Sequence, residues 1–205
     1  GDGYSDIITG AGAGGGPHVQ VFSGLDNSII ASYFAYSTAF TGGISVASGD
    51  LNADGYSDVI TGAGPGGGPH VLGLSGRALV SGQQSALANF FAFDPGVTRG
   101  IFVAAGDYDN NGTIDIMVAA GPGGGPHVKV FNSTGTVTIE SLFVYPVGFS
   151  GGVTIAAVDV NGNGTADIVT APYTNAPSEI RVFDHRFADD FFAFPEGFTG
   201  GAFVG

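Results

Sequence analysis

Three nine-residue stretches carry oxygen-bearing side chains at the spacing of a divalent-cation loop. They read Asp50-Leu51-Asn52-Ala53-Asp54-Gly55-Tyr56-Ser57-Asp58, Asp107-Tyr108-Asp109-Asn110-Asn111-Gly112-Thr113-Ile114-Asp115 and Asp159-Val160-Asn161-Gly162-Asn163-Gly164-Thr165-Ala166-Asp167. Positions 1, 3, 5 and 9 are Asp or Asn in each, and position 6 is always Gly. Alternate side chains then point inward, the position-7 carbonyl (Tyr56, Thr113 or Thr165) adds an oxygen, and glycine permits the sharp turn. Position 12 is Thr61, Val118 or Thr170 rather than the Glu of a helix-flanked calcium loop, so the position-9 Asp must close the site, as a bidentate carboxylate. Hard oxygen donors without His or Cys favour Ca²⁺ over Zn²⁺. Mg²⁺ holds its waters and seldom uses an all-protein cage. A partial fourth copy has Asp2, the Tyr4 carbonyl and Asp6, and its positions 1 and 3 would precede residue 1. The expectation is three complete calcium sites and a partial fourth.

Asp, Asn and Gly also make ordinary turns. Ligand positions held in three copies while their neighbours vary favour the metal reading. The complete loops contain three, three and two carboxylates, so the 159–167 loop is expected to bind most weakly, because ligand charge tunes affinity. Calorimetry in which that loop filled first would contradict this ranking.

The elements that must position these loops repeat with them. The last Asp of each copy falls at 6, 58, 115 and 167, spacings of 52, 57 and 52. Each is followed by an apolar stretch such as Ile116-Met117-Val118, then a Gly/Pro loop reading Gly-Gly-Gly-Pro-His at 14–18, 66–70 and 123–127. In the fourth copy that loop is Asn175-Ala176-Pro177-Ser178-Glu179. An alternating segment follows, as in Val128-Lys129-Val130-Phe131, then an aromatic one containing Phe34, Phe91, Phe143 or Phe192, read as core. Period-two alternation and β-branched or aromatic enrichment mark strands. Residues 25–41, free of Gly and Pro, could pass for a helix, but their counterpart Thr136–Glu140 is strongly β, so strands are assigned throughout. In the second unit these lie near 44–47, 58–63, 70–75 and 86–93, and the 57-residue spacing is assigned to a longer hairpin loop at 76–84.

Four short antiparallel strands per repeat describe a propeller blade. The fold class expected is therefore all-β, a single β-propeller domain over 1–205 with four blades. Gly200–Gly205 matches Gly42–Ala47, so the last strand is expected to complete the first blade. A closed ring would remove free sheet edges; the alternative is a window on a larger ring.

The Asp/Asn loop, the strand after it and the Gly-Ala-Gly, Ala-Gly-Pro or Ala-Pro at 62–64, 120–122 and 171–172 resemble the FG-GAP repeat family, also called VCBS or integrin α-like. The Phe-Gly dipeptide that names the family is missing; Ala47-Ser48-Gly49, Ala104-Ala105-Gly106 and Ala156-Ala157-Val158 stand before the loops. The resemblance implies calcium-binding β-propellers in a secreted or cell-surface protein, used in adhesion, recognition or scaffolding, and it leaves the ligand open.

Composition bounds the rest. The net charge of −13 makes nucleic acid a poor partner, and no apolar run approaches the roughly 20 residues of a membrane helix. Absence of Cys excludes a disulfide scaffold and thiolate metal sites. The start at Gly1 without Met reads as a processed product or an excised piece. Ten of the 18 acids lie in the four loops, so three bound Ca²⁺ would change −13 to −7 and four to −5. The Gly-Gly-Gly-Pro-His loops could present His18, His70 and His127 to an anion or sugar, or His could serve as a structural hydrogen-bond donor; the second is favoured. Asn132-Ser133-Thr134 is a glycosylation sequon. No nucleophile has a base partner, so the expectation is a non-enzyme that meets a protein or carbohydrate ligand at the cell surface. Two other readings stand beside it: a self-associating repeat of a surface layer or filament, and a lectin-like or accessory propeller of a secreted polysaccharide-degrading enzyme.

Overall fold

The computed structural model describes residues 3–195 and 197–205, the Phe187 side chain excepted. The repeats fold as four antiparallel sheets. The first holds β1 (Ile7–Gly10), β2 (His18–Phe22) and β3 (Ile29–Phe34). The second holds β4 (Ile44–Gly49), β5 (Asp58–Ala63), β6 (His70–Leu74) and β7 (Ala86–Phe91). The third runs from β8 (Ile101–Gly106) through β9 (Asp115–Ala120) and β10 (His127–Phe131) to β11 (Thr138–Phe143). The fourth comprises β12 (Val153–Val158), β13 (Asp167–Pro172), β14 (Glu179–Phe183) and β15 (Phe187–Phe192). Within each sheet the strands follow chain order, and all four carry the same irregularity one residue before the end of the third strand type, between Val21/Phe22, Gly73/Leu74, Val130/Phe131 and Val182/Phe183.

Burial explains the two sequence textures. β5 and β9 are buried at every position because sheets cover both their faces, so they read as continuous apolar runs. β2, β6 and β10 alternate because only one of their faces is fully covered. Three cores join the sheets in series. Val19 and Val21 meet Val59 and Leu74; Ile60 and Val71 meet Ile116 and Val118; Met117 and Val128 meet Val153 and Ile168. Among the described residues no core cluster joins the fourth sheet to the first. The segment 200–205, expected as the fourth strand of the first sheet, is not paired with β1 in this structure. It stays beside the fourth sheet, where Gly200 bridges Ala176 and the Ala202 N–H donates to the Pro172 carbonyl at 2.8 Å.

Two expectations need correction. The insertion at 76–84 is not a plain hairpin loop, because Gly76–Val80 forms a short helix, α1, whose first turn is capped by the Ser75 hydroxyl. Phe34, Phe91, Phe143 and Phe192 are also not core; all are about half exposed. Alternation places their neighbours Tyr33, Phe90 and Leu142 inward. Phe34, Phe91 and Phe143 instead lie against His18, His70 and His127 at centroid distances of 4.9, 4.9 and 4.6 Å.

Side chains from one sheet also pin the next. The Tyr145 hydroxyl donates to the Glu179 carbonyl at 2.7 Å and lies 3.1 Å from that of Thr170; Tyr36 makes the equivalent contacts with His70 and Thr61. Burial pushes the Tyr36 phenol up to about 12 and raises Tyr145 likewise. Arg181 reaches back to the Val144 carbonyl at 2.8 Å, and Lys129 to that of Ala92 at 3.0 Å. Phe93 takes the tyrosine's place between the second and third sheets, with Lys129 5.0 Å from its ring. Tyr145→Phe should therefore keep the fold and cost about 1 kcal/mol, the worth of one buried hydrogen bond. In urea unfolding the midpoint should fall with an unchanged slope; an unaltered midpoint would show that this hydroxyl contributes nothing.

Candidate metal centre

Each Asp/Asn loop connects the first and second strands of a sheet, and its own backbone N–H groups turn the side chains inward. Asp107 accepts from Asn111 N–H at 3.1 Å and Gly112 N–H at 2.9 Å, Asp109 from Asn111 N–H at 3.2 Å, and Asn111 from Thr113 N–H at 2.8 Å. The same pattern recurs at Asp50, Asn52 and Asp54, and again at Asp159, Asn161 and Asn163. Gly55, Gly112 and Gly164 have φ of 83°, 81° and 91°, the left-handed backbone that position 6 requires. Position 4 is left-handed as well, at Ala53, Asn110 and Gly162. That second constraint was missed from sequence, because Ala53 gives no sign of it.

The loops diverge at position 9. Asp58, Asp115 and Asp167 are all buried, and each accepts the N–H of position 2, from Leu51, Tyr108 and Val160 at 2.8, 3.0 and 2.9 Å. The second oxygen of Asp58 accepts the Gly76 N–H at 2.9 Å, and Asp6 accepts that of Gly24 at 3.1 Å. In Asp115 and Asp167 the second oxygen, Oδ1, is buried with no hydrogen-bond partner. The difference goes with one position a turn away, after the third strand. At Gly24 and Gly76 a Cβ would lie 2.0 Å from the Ser5 and Ser57 carbonyl oxygens, so only glycine lets the turn come this close. The equivalent residues Ser133 and His185 carry a Cβ.

Of the predicted sites, the structure brings one carboxylate cluster together among the described residues. Oxygens of Asp107, Asp109 and Asp115 lie within 4.8 Å of one another. Burial, reinforced by Asp109 and Asp107, pushes the Asp115 carboxyl up to about 6. Asp58 is also raised, chiefly by burial. The expected count of three complete sites is thus not supported among the described residues. Asp50, Asp54 and Asp58 form no such cluster among the described residues, and both oxygens of Asp58 accept backbone N–H groups. The 159–167 loop has two carboxylates, with Asp184 beside it accepting from Asn161 Nδ2 at 3.2 Å. Asp184 was missed from sequence because it stands 17 residues past Asp167, at the turn after β14. Of the partial loop, Asp2 lies outside the described residues, while Tyr4 and Asp6 are exposed.

The donor set at 107–115 fits a hard divalent cation. It is all oxygen, and the buried Asp115 carboxylate, one oxygen of which has no hydrogen-bond partner, is clustered with two further carboxylates. His18, His70 and His127 do not join it. Their Nε2 atoms bond Ser32, Asn89 and Ser141, each at 2.9 Å, on the outward-facing strands.

Residues 107–170 match the FG-GAP-like repeat and residues 42–80 the FG-GAP repeat, so the matched segments contain all three complete loops. The chain carries FG-GAP repeats. A comparison with curated protein sequences gave no match. Among solved structures, the crystal structure of the V. cholerae biofilm matrix protein Bap1 is similar over 94% of this chain and 37% of that chain, at 17% identity and a TM-score of 0.43. The FG-GAP segment 107–170 holds the acidic cluster, and its neighbour 42–80 holds the loop whose closing Asp is tied to Gly76.

Proposed function

We propose that this chain is a calcium-binding module of an extracellular protein, its four sheets being consecutive blades of a β-propeller, serving adhesion or recognition without catalysis. The observation that carries the calcium reading is the buried Asp115 carboxylate, one oxygen without a hydrogen-bond partner, clustered with Asp107 and Asp109. Asp107, Asp109, Asn111, Asp115 and the Thr113 carbonyl would hold the ion. Calcium, when bound, supplies two positive charges to a centre that otherwise buries a carboxylate beside two others. The residues then act as a rigid tie between the first and second strands of the sheet. The extracellular and adhesive parts of the reading draw on the FG-GAP repeats, on the solvent-facing row Phe34, Phe91 and Phe143, and on the absence of a nucleophile–base pair in the sequence.

Calcium titration by calorimetry tests this directly. The tightest site should vanish in Asp109→Asn, while Asp159→Asn should remove the weakest. A wild-type protein that gave no heat with calcium would sink the proposal.

A further inference from the structure

The strands that open the second, third and fourth sheets, β4, β8 and β12, line a cavity of about 610 Å³. Val46, Ile101, Val103 and Ile155 are among its lining residues, and Arg99 is the one charged side chain among them. Ile101 pairs with Ala120 and Gly106 with Asp115, so Arg99 stands at the end of the third sheet opposite the acidic cluster, with about 17 Å of strand between them. It lies between the second and fourth sheets, in the middle of the row.

The repeat gives no reason for an arginine there. The matching segments read Thr41-Gly42-Gly43, Ser150-Gly151-Gly152 and Thr199-Gly200-Gly201, against Thr98-Arg99-Gly100. Two residues before the first glycine stands Phe40, Phe149 or Phe198, and a Cβ on Gly42, Gly151 or Gly200 would lie 2.5, 2.6 or 2.7 Å from that ring. In the odd segment both positions change together: Val97 replaces the ring and Arg99 replaces the glycine. The Arg99 side chain runs across the loop of the third sheet, its Cδ and Nε 3.1 Å from where a Cβ on Gly123 would be. Its backbone is held on both sides. The Thr98 carbonyl accepts the Gly66 N–H and the Gly100 carbonyl the Gly121 N–H, each at 2.9 Å. Phe and Gly already solve the packing in three places, so what the exchange adds is an exposed cation on a fixed backbone. No carboxylate answers it. Among the described residues the one ion pair joins Arg181 and Glu179, in a chain of net charge −13.

We propose that this cavity binds a small carboxylate with a hydrocarbon body, the carboxylate meeting the Arg99 guanidinium and the body lying against Val46, Ile101, Val103 and Ile155. A guanidinium presents paired N–H donors that match a carboxylate. The volume falls in the range of small-molecule sites. A neutral apolar molecule would leave Arg99 unanswered. A sugar would bring hydroxyls to a wall with few partners for them, because the lining hydroxyls of Ser45 and Thr154 are already donated to the Ile101 and Ala202 carbonyls at 3.1 and 3.0 Å. An amphipathic monoanion suits both the cation and the wall. The proposal is independent of calcium binding, whose loops stand at the other end of the sheets.

Methyl NMR titration of the 205-residue chain with octanoate, octan-1-ol and acetate tests it. Octanoate should shift the methyls of Val46, Ile101 and Ile155 and bind about tenfold tighter than octan-1-ol, which shares its body but not its charge. Acetate should leave those methyls unmoved. Arg99→Met keeps an unbranched stem over Gly123 and removes the charge, so octanoate should fall to the affinity of octan-1-ol while circular dichroism stays unchanged. Arg99→Lys keeps the charge without the paired donors and should retain part of the advantage. Octanoate that binds no tighter than octan-1-ol in wild type overturns the proposal. So does an advantage that survives in Arg99→Met, or binding that leaves the cavity methyls unshifted.

Discussion

Asp115→Asn should melt below wild type with calcium and above it with chelator. In wild type, calcium at about 100 times Kd should add roughly 2.7 kcal/mol per site, and for a chain of this size that raises the melting temperature by about 5–10 °C. The variant should show almost none of this rise, since the closing carboxylate of the acidic cluster is gone. With chelator the order should reverse, the variant melting above wild type by the equivalent of about 1 kcal/mol. The reason is local. Without an ion, Asp115 keeps a charged oxygen buried without a hydrogen bond, while Asn keeps the acceptor for Tyr108 N–H and turns an amide donor toward Asp107 and Asp109. The crossing of the two melting curves is the diagnostic result. A variant equally destabilised with calcium and with chelator would show that Asp115 is a structural carboxylate only.

That experiment turns on a difference between repeats that look alike in sequence. The repeat was legible because each copy places the same residue types at the same offsets, which fixes strand order, register and the loop of alternating Asp and Asn together. Period and phase are separate matters, however. In Tyr33-Phe34, Phe90-Phe91 and Phe191-Phe192 both members are large and aromatic, so alternation alone cannot say which one faces inward; the pairing register decides it. α1 was hidden for a related reason. Five residues are too few to show a 3.6-residue pattern, and only the Ser75 cap marks its start. The free second oxygen of Asp115 and Asp167 was illegible inside the loops themselves, because it depends on whether Gly or a residue with a Cβ stands at 76, 133 or 185, beyond the next strand. Burial is illegible in the same way: Ile7 and Ile116 are chemically identical, and what separates them is the presence of a covering sheet.

Gly76→Ala should be strongly destabilising, and it should damage in a calcium-dependent way. Its Cβ would lie 2.0 Å from the Ser57 carbonyl oxygen, a backbone atom that no side-chain rotation can clear, so α1 and the turn before it must move off the 50–58 loop. The Gly76 N–H then leaves Asp58, a fully buried carboxylate that has one other partner, Leu51 N–H. Removing one partner of a buried charged group costs about 3 kcal/mol or more, roughly 6–12 °C in melting temperature at this chain length. Ser133→Gly, at the matching place in the third sheet, should change stability by under about 1 kcal/mol, since no bond to Asp115 exists there to be lost. Combining Gly76→Ala with Asp58→Asn should cost less than the two single changes added, because both act on one contact. The displaced turn also leaves Asp58 Oδ1 in the state of Asp115 Oδ1, buried and without a partner. Calcium should therefore recover part of the stability lost in Gly76→Ala, and the 50–58 loop of that variant should bind it more tightly than in wild type. Equal destabilisation with and without calcium would place the whole effect in the steric clash and separate the Gly76 contact from metal binding.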